Sequence, residues 1–268
     1  MINKLAFNIA QNSLLQLNKF NIISASISIK NQFSTHKTNY IKSNNHKMAT
    51  TNNEVNNSNQ QTNDKKIDDS KFVKIVEGCA TMNYSKDEAV FYNKVQVFNR
   101  DMSIQVIKLF AEYRENEKLA KYQNRLDLYN KNPIGHTPPN KPIDGIRVLD
   151  ALAATGLRSV RYLTEIPRVR HVTINDLDQK AIDVALENCT NNGIDPTRIT
   201  INRGDASLYM YQQRESSVKY DVIDLDPYGS AAPFLDSAVQ AIANGGLLCI
   251  TCTDMTGIVI VAIFNLHM

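Results

Sequence analysis

The chain has 268 residues, 43% of them hydrophobic and 21% charged, an ordinary balance for a globular protein. Its formal charge of +3 is unevenly spread: residues 1–53 hold six lysines and no acid, which leaves 24 basic and 27 acidic residues over 54–268. The body of the chain is thus slightly acidic, so charge alone gives no nucleic-acid footprint; the four cysteines imply no disulfide framework, and no apolar run reaches the roughly 18 residues of a membrane span.

The first 47 residues are basic, acid-free and rich in Ser and Asn, and Leu5, Ile9, Asn12 and Leu15 fall on one helical face. This stretch resembles a mitochondrial targeting segment, with lysine where arginine is usual. Met48 follows directly, and a start there would give an untargeted form for the nucleus and cytoplasm. Residues 48–70 are polar and cannot bury enough apolar surface to order themselves, so they read as a linker.

Residues 71–145 read as an N-terminal extension. "KFVKIVEGCATMNY" predicts a strand, a turn and a strand. In "VFNRDMSIQVIKLFAEYREN" the spacing of Ile104, Ile107 and Phe110 predicts a helix, with Asp101 or Ser103 as its cap. "NPIGHTPPNKPIDG" is a Pro/Gly loop that marks a boundary.

From 146 onward the pattern alternates. "IRVLDAL", "HVTINDL", "ITINRGD", "KYDVIDLD" and "LLCITCTD" are apolar runs. Between them lie the helical stretches "GLRSVRYLTEI", "DQKAIDVALENCTNNG", "ASLYMYQQRE" and "AAPFLDSAVQAIANGG". Such alternation predicts a doubly wound, mostly parallel α/β sheet, whose ligands sit at the carboxyl ends of the strands. Cys249 and Cys252 fall within the fifth run without a second pair, so they read as core thiols and no metal site is expected.

The strand ends therefore carry the chemistry. "LDALAATGLRS" offers small residues and Gly156 where backbone can approach a ligand, but it lacks the glycine fingerprint of dinucleotide enzymes. Asp176 ends the second run at a separation suited to ribose hydroxyls; a helix cap by Asp176 or Asp178 is the other reading. Asp205 and Ala206 end the third run and can meet an adenine amino group and ring nitrogen, while a cap by Asp205 has equal weight. "DLDPYGS" ends the fourth. An acceptor aimed at an exocyclic amine localises its delocalised lone pair and takes its proton. A fixed proline and an aromatic ring beside it suit a flipped base. Asp224 and Asp226 share a face, and Asp226 lies nearer the end.

Residues 72–254 resemble the tRNA guanine-26 N2-dimethyltransferases. The resemblance rests on "VFYNKVQVFNRDMSI", "VLDALAATGLRSVRY", "NDLD", "RGDA" and "YDVIDLDPYGSAAPFLDSAV" taken together. It implies a Rossmann-like methyltransferase domain over 146–268, S-adenosyl-L-methionine as methyl donor, and tRNA as partner. By matching motif, Arg100 and Arg158 would contact the cofactor, whose carboxylate suits a guanidinium fork. Asp176 would hold the ribose, and Asp205 with Ala206 the adenine. Asp226 would be catalytic, with Tyr228 and Phe91 as the two aromatic faces for guanine.

The resemblance departs from the family in two places. Residues 114–145 are longer than in short members and should form a surface excursion. "GIVIVAIFNLHM" does not match the family's continuation, which implies an incomplete sheet and a missing tRNA-binding part. Two other readings stay open: an inactive cofactor-binding fragment, and a methyltransferase for an amino group on another nucleic acid or a protein.

Overall fold

The computed structural model describes residues 72–85, 92–135, 137–252 and 258–264, with backbone alone at Phe72, Ser85 and 258–264. The expected targeting segment, the polar linker and Phe91 lie outside the described residues.

Strands β1 (Phe72–Glu77) and β2 (Ala80–Ser85) form the expected antiparallel hairpin. Helix α1 (Val97–Lys131) is longer than its apolar spacing predicted and starts earlier. The chain enters it through a 3-10 turn at Lys94–Gln96, whose Asn93 side chain accepts from the Val95 N–H at 2.9 Å. Asp101 and Ser103 therefore lie inside the helix and do not cap it; Asp101 pairs with Arg161, and Ser103 is buried. The expected excursion begins as the second half of α1, which is largely exposed.

The remaining elements alternate as expected. They are β3 (Ile146–Asp150), α2 (Leu157–Glu165), β4 (Val169–Asp176), α3 (Gln179–Asn191) and β5 (Ile199–Arg203). After them come α4 (Ala206–Gln212), β6 (Tyr220–Leu225), α5 (Leu235–Ala241) and β7 (Ile242–Cys252). Strand β7 takes over "IANGG", which the sequence pattern had placed in the preceding helix. Strand β8 (Ile258–Phe264) then pairs antiparallel with β7, so part of the stretch that departs from the family pattern adds a strand to the sheet.

The six strands lie in the order β5-β4-β3-β6-β7-β8, all parallel except β8. Adjacent residues along each inner strand face opposite cores. Val148, Val172, Val222 and Leu247 pack with α1, α2, α3 and the hairpin. Leu149, Ile223, Leu248 and Ile250 pack with α4 and α5. Because both faces are covered, the strands read as continuous apolar runs. The strand order reverses between β3 and β6. Ligands of open α/β sheets bind at such a switch point, outside the carboxyl ends of the strands.

Candidate active site

Four strand ends are tied together at that point. The Ala151 N–H bonds the Asp224 carbonyl at 3.1 Å, and the Ala153 N–H bonds the Asn175 carbonyl at 2.9 Å. The Gly204 N–H bonds the Asp176 carbonyl at 3.0 Å. Asn175, buried between them, donates from Nδ2 to the carbonyls of Ala151 (2.8 Å) and Gly204 (3.2 Å).

The turn after β3 has a left-handed residue without being glycine: Ala154 at φ 46°. Its N–H is held by Asp176 Oδ2 at 2.8 Å, and such strain concentrates at functional sites. Gly156 follows at φ 76° and starts α2; a Cβ there would lie 2.9 Å from the Cβ of Ala185 on α3. Asp176 Oδ1 also accepts from the Asp178 N–H at 3.0 Å, so this carboxylate fixes the turns after β3 and β4 together. The cap of α3 is Asp178, not Asp176. Asp205 caps α4 through the Leu208 N–H at 2.8 Å and is exposed, while Ala206 is buried.

The end of β6 is built around Arg158. From α2 its guanidinium donates to Asp226 Oδ2 from Nε (2.9 Å) and Nη2 (2.7 Å). Nη1 reaches Ser103 Oγ (3.2 Å) and Asp224 Oδ2 (3.3 Å), and Nη2 reaches Thr251 Oγ1 (3.4 Å). The Tyr162 hydroxyl also donates to Asp224 Oδ2. Asp224 is fully buried, whereas the Asp226 side chain is 22% exposed. Pro227 is buried, and Tyr228 is 78% exposed.

The electrostatics follow from burial. Burial pushes the Asp224 carboxyl up against the opposing pull of Arg158. Burial and the neighbouring Asp224 charge push Asp150 up to about 7. Burial and the same charge raise the Tyr162 hydroxyl, which therefore stays a donor. Burial would lower Arg158, but Asp224, Tyr162 and Asp226 hold it firmly protonated.

The sequence-expected residues thus divide. Asp226, Arg158 and Asp224 meet directly, and Asp176 and Asp205 stand at the neighbouring strand ends. Arg100 is buried on α1, forked onto Glu77 of β1 with Nε–Oε1 at 2.7 Å and lying 5.4 Å from the Tyr92 ring centre. Tyr162 and Glu77 were missed by sequence reasoning. Arg158 and Tyr162 are four apart on α2, and two polar groups on one buried helical turn were the available signal. Among the described residues, no cluster of three or more His, Cys, Asp or Glu could hold a metal, and no helix is long and apolar enough to cross a membrane.

Residues 64–259 match the family model described as N2,N2-dimethylguanosine tRNA methyltransferase. The chain belongs to this family. Among N2,N2-dimethylguanosine tRNA methyltransferase relatives, the tRNA (guanine(26)-N(2))-dimethyltransferase of Schizosaccharomyces pombe is 41% identical over 67% of this chain and 36% of its own length. The mouse protein of the same name is 39% identical over 68% of this chain and 31% of its own. The Saccharomyces cerevisiae relative, named as mitochondrial, is 39% identical over 71% of this chain and 36% of its own. A solved structure of Trm1 from Pyrococcus horikoshii with S-adenosyl-L-methionine is 28% identical, covers 68% of this chain and 43% of its own, and has a TM-score of 0.48. The chain spans about a third of the length of the curated relatives it matches.

Proposed function

We propose that this chain transfers one or two methyl groups from S-adenosyl-L-methionine to the exocyclic N2 of guanine 26 in tRNA. The observation that supports the reading best is Asp226 at the switch point: a partly exposed carboxylate, fixed by a guanidinium fork, two positions from an exposed tyrosine. The sheet offers no other carboxylate so arranged among the described residues.

The residues present fit the cofactor. Each oxygen of Asp176 accepts one backbone N–H, and a carboxylate oxygen has a second acceptor site for a ribose hydroxyl. Asp205 and Ala206 face the same end of the sheet and are assigned to the adenine. The missing Cβ of Gly156 keeps α2 tight against α3, which holds the strained Ala154 turn in place. Arg100 keeps its assignment to the cofactor on the family resemblance alone, as does Phe91 to the base. When bound, the cofactor supplies a methyl group already activated on a sulfonium.

The chain's own part is at the amine. Tyr228 supplies a stacking face for an extruded guanine, and Pro227 fixes the backbone between ring and carboxylate. Asp226 would accept a hydrogen bond from N2–H, which localises the nitrogen lone pair, and would take that proton as the methyl's bond to sulfur breaks and its bond to N2 forms. A second round repeats the step on the same nitrogen. The basic, acid-free N-terminus and the mitochondrial name of the S. cerevisiae relative support mitochondrial import, with a start at Met48 supplying nuclear and cytoplasmic protein.

The test is methyl transfer from labelled S-adenosyl-L-methionine to tRNA carrying guanine or adenine at position 26. Label confined to the guanine-26 tRNA is expected. Equal labelling of both would redirect the reading to another target. Calorimetric donor binding with no label on either would redirect the reading to an inactive cofactor-binding fragment.

A further inference from the structure

We infer that one exposed edge of α1 is the contact surface of a homodimer, in which a second copy of this chain lays its own α1 against it in the antiparallel sense. Val95, in the 3-10 turn that leads into α1, is followed by Phe98, Met102, Val106, Leu109 and Tyr113 at intervals of three and four. That spacing places them in one stripe beside the buried face of the helix. Val95 is 85% exposed, Phe98 64%, Tyr113 58% and Leu109 44%, with Met102 and Val106 half-buried between them. Single exposed apolar side chains are ordinary on a protein surface, but a contiguous row of them marks an interaction site. The core beneath α1 is filled from its other face, by Ile104, Ile107, Phe110 and Ala111. From Val95 to Tyr113 the stripe runs about 27 Å at the rise of a helix, long enough for several turns to interlock with a second helix.

The order of residues along the stripe selects the occupant. About a two-fold axis beside Ile104, antiparallel copies set Val95 opposite the partner's Tyr113, Phe98 opposite the partner's Leu109, and Met102 opposite the partner's Val106. The stripe is thus complementary to itself, as a two-fold interface requires. Charge agrees with this register. Antiparallel helices bring like flanks together, and on one flank of the stripe Lys94 comes opposite the partner's Glu112 and Lys108 opposite the partner's Asp101. Lys94, Lys108 and Glu112 are exposed and make no ion pair among the described residues. The Asp101 side chain is bonded to Arg161 but is 47% exposed. Acids alternate with lysines along this flank, which does not suit a phosphate backbone and favours a copy of the same helix over RNA.

The test is the oligomeric state of the full chain. Sedimentation equilibrium up to about 100 µM should give twice the 30.2 kDa chain mass. Leu109→Asp puts a charge inside the stripe and should leave a monomer whose far-UV circular dichroism matches that of wild type. K94E and E112K should each raise the dimer dissociation constant about fivefold, because the pair occurs twice in a two-fold dimer. The double variant re-forms the pair with its sign reversed and should return to within about twofold of wild type. Gln105→Cys, beside the axis, should close a disulfide between copies on oxidation, whereas Gln123→Cys, exposed beyond the end of the stripe, should not. A chain that stays monomeric at every concentration would overturn the inference, as would a dimer that survives Leu109→Asp. A double charge variant no tighter than either single one would overturn the antiparallel register. A monomer that loses tRNA retention on Leu109→Asp would overturn the inference by assigning the stripe to RNA.

Discussion

Asp150 and Asp224 face one another across the β3–β6 pair, both buried, and Arg158 reaches only Asp224. Asp150 has the Ser159 hydroxyl at 2.7 Å and no cation in contact. The proton of the pair therefore belongs on Asp150, whose carboxyl burial and the Asp224 charge push up to about 7. An unfolded aspartate titrates near about 3.9, so the folded chain binds an extra proton between the two values. Stability then falls as pH rises from about 4 through 7 and levels off above, by at most about 4 kcal/mol. Asp150→Asn keeps an acceptor for Ser159 and removes the titration. Thermal unfolding from pH 5 to 8 should show a shallower loss in this variant, and higher stability than wild type at pH 8. Parallel pH slopes for the two proteins would refute the assignment.

Glu77 carries the N-terminal hairpin. Its carboxylate accepts from Arg100, from Arg161 Nη1 at 2.7 Å and from the Tyr92 hydroxyl at 3.0 Å, so one β1 side chain joins α1 and α2. Burial alone would raise this carboxyl, yet Arg100 and Arg161 hold it below its ordinary value. That contribution is present above the unfolded value of about 4.3 and is lost as pH falls through the folded one. Glu77→Ala leaves two buried guanidinium groups without their shared partner and should cost about 3–5 kcal/mol in urea unfolding at pH 7. Hydrogen exchange should quicken first in residues 72–85. A loss under about 1 kcal/mol would mean that the pairing is compensated by solvent.

The strand ends were legible because the inner strands are buried on both faces. Continuous apolar runs located Asp176, Asp205 and Asp226 to within two residues of where the strands end. The links among the site residues were not legible, because they join positions far apart in sequence. Tyr162 reads as a core residue until Asp224, 62 positions later, is brought against its hydroxyl. Arg100 reads as a cofactor contact by motif, and only the folded hairpin places Glu77 beneath it. The start of α1 was misread for a local reason: Asn93 caps a preceding 3-10 turn, so Asp101 and Ser103 were left for tertiary partners.

Gly156 combines two demands. Its φ of 76° disfavours any side chain, and a Cβ would sit 2.9 Å from the Cβ and 3.2 Å from the Cα of Ala185. Gly156→Ala should cost about 1–2 kcal/mol for the backbone alone and more for the clash. Adding Ala185→Gly relieves the nearer contact but not the backbone strain. A double-mutant cycle should therefore show favourable coupling of at least about 0.5 kcal/mol, with the pair still less stable than wild type. Strict additivity would show that α2 and α3 separate freely, and that the glycine serves only the turn.

Asn175 makes a prediction about binding as well as stability. Its Nδ2 holds the carbonyls of Ala151 and Gly204, and its Oδ1 takes the Asn202 Nδ2 at 2.6 Å. Ala151 leads into the Ala154 turn, and Gly204 precedes Asp205. Asn175 thus sets the spacing between the turn that Asp176, assigned to the ribose, holds at Ala154 and the loop assigned to the adenine. Asn175→Ala strands three polar groups around a buried site and should cost about 2–4 kcal/mol. If the spacing matters to the cofactor, S-adenosyl-L-methionine affinity should fall about tenfold at a temperature where the variant remains folded. Asp221→Ala, which strips the buried Arg114 of its partner near the start of β6 and away from these loops, should bind donor nearly as well as wild type under the same conditions. Equal losses of affinity in both variants would reduce Asn175 to a stabilising residue, whereas a loss confined to Asn175→Ala places the donor between the β3 and β5 loops.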